Sequence, residues 1–164
     1  MPYSDPHDRY PSIDNLHCDP RMARLLFRAY YDELNSVSTC IYNSIQLAEE
    51  CTKTATLFES LAMTEMRHFL LLGRMIIRLG GDPAVRVRQS NPFYGKPERL
   101  DSASVHKILS KTLEGEQMSA VGYRKLARAM ECDPAAAALL ERIADDEEHH
   151  ARMLSRALDG FSAK

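Results

Sequence analysis

Residues 145–150 read DDEEHH, four carboxylates and two imidazoles directly after the apolar run AAAALLERIA at 135–144. Like charges packed this closely repel one another unless water or a cation neutralises them. A shorter stretch, TEMRH at 64–68, repeats the core of the cluster: Glu65 and His68 stand at the same i, i+3 spacing as Glu147 and His150. On a helix that spacing puts a carboxylate and an imidazole on one face. Whether that face meets solvent or the core decides what the chain is.

Outward from these stretches, Gly, Pro and Asp divide the chain into helices. Asp19-Pro20 is an N-cap followed by proline at the first helical position, and about 30 residues free of Gly and Pro follow it. Their apolar positions Leu26, Tyr30, Val37, Cys40, Ile41 and Leu47 recur at helical spacing. A break near Cys51–Thr54 precedes a second helix, which Gly80-Gly81-Asp82-Pro83 ends. A third begins near Asp101–Ser104, and Asp133-Pro134 repeats the capping device for a fourth that stops before Gly160. The expected helices are about 20–51, 54–79, 102–131 and 134–158, within a bundle domain spanning 19–160. Residues 1–18 read as a polar, Pro-containing arm without the apolar core of a signal peptide.

Linker lengths give the topology. Short joints make helices one and two, and three and four, antiparallel hairpins. The middle linker of about 20 residues is long for a compact domain. Extended, it reaches roughly 65 Å, whereas a 25-residue helix is about 38 Å long. It can therefore cross the whole bundle, which makes the fold all-α, a four-helix bundle with one long crossover. Apart from a weak AVRVR at 84–88, nothing reads as a strand.

Composition narrows the function. The net charge of −2 offers no basic footprint for nucleic acid, and the longest apolar stretch, FLLLG at 69–73, is followed by Arg74, too short to span a membrane. Cys18, Cys40, Cys51 and Cys132 form no C-x-x-C pair, which excludes a zinc ribbon and fits a reducing, cytoplasmic setting.

Each helix carries an acid where a core residue belongs. Glu33 lies on the stripe of Leu26, Tyr30, Val37 and Cys40; Glu65 and His68 lie among Phe58, Leu61, Ala62, Phe69 and Leu72. Glu116 falls between Leu109, Leu113, Ala120, Tyr123 and Ala127, and Glu147 and His150 fall with Leu140, Ile143, Ala144, Ala151 and Leu154. Glu114 is the alternative to Glu116, but it shares its face with Lys107, Lys111 and Lys125. Four carboxylates in an apolar core each cost on the order of several kcal/mol. A solvated charge cluster is the plain alternative, and the apolar surroundings and the duplication argue against it. Glu65 follows Glu33 by 32 residues (65 − 33) and Glu147 follows Glu116 by 31 (147 − 116), so each hairpin supplies one lone Glu and one Glu-x-x-His pair. Four carboxylates and two imidazoles suit two metal ions per chain, iron or manganese, bridged by carboxylates and capped by one His each. Asp145, Asp146, Glu148 and His149 then face water or support the ligands. Tyr30 and Tyr42 read as core residues whose hydroxyls find partners, and Met63, Met66, Met75, Met118, Met130 and Met153 as gap-fillers.

The stretches DPRMARLLFRAYYDELNSVS, TEMRHFLLLGRMIIRLGGDP and DPAAAALLERIADDEEHH resemble the ferritin-like dimetal-carboxylate superfamily of rubrerythrins, bacterioferritins, manganese catalases and spore-coat ferritin-like proteins. The likeness covers roughly residues 19–158 and implies redox chemistry on hydrogen peroxide or dioxygen, of a peroxidase, catalase or ferroxidase kind. It also implies Tyr123 beside the metals, seven residues after Glu116; at the equivalent place after Glu33 stands Cys40, a small core residue or a redox-active thiol. No rubredoxin-type cysteine pairs are present, so an iron enzyme would draw on an external electron donor. The alternative is a non-catalytic metal-binding or structural protein of a store, spore coat or other shell. A four-helix unit with Tyr- and Leu-rich faces, among them Leu25, Phe27 and Tyr31, points to a homo-oligomer, a dimer first.

Overall fold

The computed structural model describes residues 10–14, 16, 19–85 and 100–162; His7, His17, Cys18 and most of the crossover lie outside them. Asp19 begins the bundle: its Oδ1 accepts from the Arg21 amide at 2.8 Å and opens a 3-10 turn, Pro20–Met22, that runs into α1, Ala23–Leu47. A tight turn leads to α2, Thr52–Arg78, two residues earlier than the sequence reading. α2 ends in a Schellman arrangement in which the Gly81 amide donates to Ile76 O and Gly80, at φ +79°, donates to Ile77 O, both at 2.9 Å. α3, Ser102–Ala129, is capped by Asp101, which accepts from Ser104 N at 2.8 Å. α4, Pro134–Ser162, is capped by Asp133, whose Oδ1 accepts from the amides of Ala135 and Ala136 at 3.1 Å. α4 does not stop before Gly160. A glycine inside a helix costs about 1 kcal/mol, and Phe161, packed on the core beyond it, offsets that cost.

The hairpins α1–α2 and α3–α4 close into one bundle through α1 against α3 and α2 against α4. Its interior is two apolar clusters. One holds Leu26, Tyr30, Leu72, Met75, Ile76, Leu79, Met130, Leu139, Leu140 and Ile143; the other holds Leu47, Phe58, Leu61, Val105, Leu109 and Leu154. α2 ends in the first cluster and α3 begins in the second, so the two points that the crossover joins lie at opposite ends of the bundle. Among the described residues there is no strand, and no helix is long and apolar enough to cross a membrane.

Several apolar positions face outward instead of inward. Tyr42 is 61% exposed and Ile41 is exposed too, because at 100° per residue they have turned away from the Cys40 face. Met63, Met66 and Met118 are likewise exposed, whereas Met75 and Met130 fill the core as expected. Tyr30 is buried, stacked on Phe69 with ring centroids 4.2 Å apart, and donates to Pro83 O at 3.1 Å. Residues Tyr10–Asp14 pack on the bundle: Ile13 is buried and Arg78 donates to Asp14 O and Oδ1 at 2.8 and 2.7 Å.

Candidate metal centre

Between the two apolar clusters lies a charged layer. Glu33, Glu65, Glu116 and Glu147 come from the middle of α1 to α4 in turn, with His68 and His150 one turn beyond Glu65 and Glu147. All six are buried, Glu65 to 1% exposure and His68 to none, while Glu114 is exposed. The structure thus brings together the six residues singled out from the sequence. They form two overlapping groups, Glu33, Glu65, His68 and Glu147, and Glu65, Glu116, Glu147 and His150. Within each group one donor atom per residue lies within 4.8 Å of all the others, and Glu65 and Glu147 belong to both.

The distances around each imidazole are short. His68 Nδ1 lies 3.1 Å from Glu147 Oε1, 3.4 Å from Glu65 Oε2 and 3.6 Å from Glu33 Oε2. His150 Nδ1 lies 2.9 Å from Glu65 Oε1 and 3.2 Å from Glu116 Oε2. Proximity does not satisfy these groups: Glu33 Oε2, Glu65 Oε1, His68 Nδ1 and Glu147 Oε1 are buried without a hydrogen-bond partner. Each such atom costs about 1–3 kcal/mol. Glu33 Oε2 and Glu147 Oε1 gather around His68 Nδ1, whereas Glu65 Oε1 faces His150. Buried donors left unsatisfied in both groups fit a pair of metal ions of the kind that oxygen and imidazole ligands hold.

Electrostatics show what protons do in place of metal. Burial, reinforced by the charge on Glu65, pushes Glu33 up to about 8 and carries Glu147 well above the carboxylate range. Glu65 goes the other way: burial would raise it, but the imidazoles of His150 and His68, 2.9 and 3.4 Å away, outweigh that and hold it low. Burial would also lower both imidazoles, yet Asp146 and Glu147 hold His68 well above its ordinary value, and Glu116 and Glu65 bring His150 up to about 10.

A second ring of contacts orients the ligands. The Tyr123 hydroxyl donates to Glu33 Oε1, tying α3 to α1. His68 Nε2 lies 3.2 Å from Asp146 Oδ2, tying α2 to α4 and leaving Nδ1 turned toward the carboxylates. Asp146 is 9% exposed and held at about 2: burial would raise it, but the hydrogen bonds from His68, Tyr10 and Arg142 win. Of the four residues expected outside the ligand set, Asp146 is therefore the one that supports a ligand, while Asp145, Glu148 and His149 are exposed. Arg124 answers the charge problem of DDEEHH by binding Asp145 at 2.6 Å, Glu148 at 3.0 Å and also Glu141. Cys40 is buried near the layer, and burial followed by the fields of Glu65 and Glu116 raises its thiol far above normal, which keeps it protonated and a poor nucleophile. Tyr10 was not legible as a site residue: its hydroxyl donates to Asp146 Oδ2 at 2.7 Å from 136 positions away, and no local spacing signals such a contact.

Comparison with known proteins agrees with this architecture. No curated protein matches the chain. Among solved structures it is similar to the bacterioferritin of Rhodobacter capsulatus, described with a metal-free dinuclear site and a heme iron, at 20% identity and a TM-score of 0.72. That alignment covers 90% of this chain and 89% of the other, and it shows a shared fold. The family model of the ferritin-like domain matches residues 42–163, about three quarters of the sequence, and the chain belongs to the ferritin-like family.

Proposed function

We propose that the chain is a dinuclear iron or manganese protein with redox activity toward hydrogen peroxide or dioxygen, working in the cytoplasm as a homo-oligomer. The observation that carries this reading is the pair of overlapping donor groups sharing Glu65 and Glu147. Two redox metals bound there would supply the electrons that peroxide or dioxygen accepts. The residues of the chain do the rest. Glu65 and Glu147, which belong to both groups, would serve both positions, His68 and His150 would hold the ends, and Glu33 and Glu116 would complete one position each. Tyr123 fixes the orientation of Glu33, and Asp146 fixes that of His68. The two flanking apolar clusters close the layer off toward both ends of the bundle. With iron, turnover would need an external electron donor; with manganese, peroxide would serve as both donor and acceptor.

The test is elemental analysis of protein from its native host, paired with peroxide consumption measured with and without reductant. About two Mn per chain with oxygen release would identify a catalase; about two Fe with reductant-dependent loss, a peroxidase or ferroxidase. Bound metal without turnover would make the centre a store or a structural element. Protein that takes up no metal on reconstitution would refute the dinuclear reading.

A further inference from the structure

A cavity of about 540 Å³ opens between α2 and α4. Its wall includes His150 and Asp146, so it reaches the charged layer, and it also includes Tyr10 from outside the bundle. Tyr10 is placed there by four contacts. Its hydroxyl donates to Asp146, its ring edge meets the His68 ring at 6.2 Å, and Arg142 and Arg67 lie 5.0 and 5.9 Å from its centroid. Farther along, buried Ile13 and the Arg78–Asp14 bonds fasten the same segment to the bundle away from the charged layer.

We propose that Tyr10 is the gate of the metal centre: small molecules reach the buried cluster through the α2–α4 cavity, and the rate is set by Tyr10 leaving it. This rests on the dinuclear reading and adds the route. The mouth points to the class of molecule that passes. Arg67, Arg142 and Arg152 in its wall are matched by Glu59, Asp145 and Asp146, so it favours neither anions nor cations. An uncharged reactant such as peroxide or dioxygen fits that balance. The contacts holding Tyr10 are one hydrogen bond, two guanidinium groups over its ring and one T-shaped contact with His68, a set weak enough to open locally without unfolding a helix.

The test loads the full-length protein with iron(II) and follows its release to 2,2′-bipyridine, an uncharged chelator, by absorbance. Three variants are compared: Tyr10→Ala, Tyr10→Phe and Arg78→Gln. Tyr10→Ala removes ring and hydroxyl and should speed release about tenfold or more, well beyond any accompanying loss of iron bound at equilibrium. Tyr10→Phe keeps the ring and should give only a few-fold change. Arg78→Gln touches no residue of the cluster; by freeing Asp14 it should also speed release. If Tyr10→Ala fails to show the helical circular dichroism of the parent, Arg78→Gln decides. Release rates within about twofold of wild type would overturn the gate. So would a Tyr10→Ala protein that loses bound iron in step with its faster release, since Tyr10 would then act only by holding Asp146. A wild-type chain that binds no iron would refute the dinuclear reading and the gate with it.

Discussion

Glu65 sits 2.9 Å from one imidazole and 3.4 Å from the other, and no other carboxylate of the layer lies so near both. Removing it together with Glu147 takes away a donor from each position twice over. Glu65→Ala with Glu147→Ala should therefore abolish metal binding, whereas Glu148→Ala with His149→Ala, both outside the layer, should leave the metal content near normal. Equal losses in elemental analysis would contradict the inward and outward assignment. One step out, Asp146→Asn should weaken metal affinity by about 10–100-fold, read by competition with a chelator, because an amide orients His68 less strongly than a carboxylate does. Protons compete with the metals, and the sign is fixed by the shifts. Glu33, at about 8 against an ordinary 4.5, and His150, at about 10 against 6.5, both bind protons more tightly in the folded chain. The stability they contribute is present at the lower end of the range and fades as pH rises, for Glu33 through about 8 and for His150 through about 10. The low-lying Glu65 and Asp146 titrate in the acid range and do not oppose this. Chelator-treated protein should thus lose Tm between pH 7 and 9, and metal-loaded protein should not, since the metals take the place of those protons. A Tm of the chelated protein that rises over that interval would contradict the assignment.

At the scale of the helix, the punctuation of the sequence carries most of the result. Asp19-Pro20, Asp101, Asp133-Pro134 and Gly80-Gly81 act as caps and stops where their chemistry says they should. The acids on apolar stripes were legible for the same reason: a charge on a buried face breaks the pattern, and breaking it on four helices at matching intervals has few explanations. What escaped depends on contacts distant in sequence. The docking of Tyr10, the support from Asp146 and the run of α4 through Gly160 are each decided by a partner on another element. Gly73 gives a further case. It sits within α2, where alanine would ordinarily gain about 1 kcal/mol of helix propensity. A Cβ there would come within 3.1 Å of Tyr30 Cε2, and Tyr30 cannot yield because Phe69 and the Pro83 carbonyl hold it. Gly73→Ala should therefore destabilise the fold by about 1–2 kcal/mol instead of stabilising it. Chemical denaturation reads this directly, and a gain in stability would show that the Tyr30 ring is free to shift.

On the scale of the whole molecule, one face of the bundle is more apolar than solvent exposure favours. Along α1, Phe27, Tyr31, Leu34, Ile41 and Ile45 recur at heptad spacing; Tyr31, Ile41 and Ile45 are exposed, Ile45 to 67%, and Phe27 and Leu34 are half-buried beside them. Along α2, Met63, Met66, Leu70 and Ile77 are exposed as well. Tyr30 packs on Phe69 and beside Gly73, just inside each row, so the two rows flank the α1–α2 seam and form one surface. A heptad row is the pattern with which helices pair, and a large contiguous apolar face is a common mark of a buried interface. A second copy of the chain is the simplest partner, because the same rows related by a two-fold axis are self-complementary. The wild-type chain should therefore sediment as a dimer or larger species at roughly micromolar concentration. Ile41→Lys with Leu70→Lys should shift it to monomer with its helix content unchanged, since both side chains are exposed and neither is a member of the metal-binding groups. Metal content should persist in that monomer, because all six donors come from one chain. A double variant that stays dimeric would place the interface elsewhere on the bundle, and a monomer that loses its metal would mean that association, and not the single bundle alone, holds the four carboxylates together.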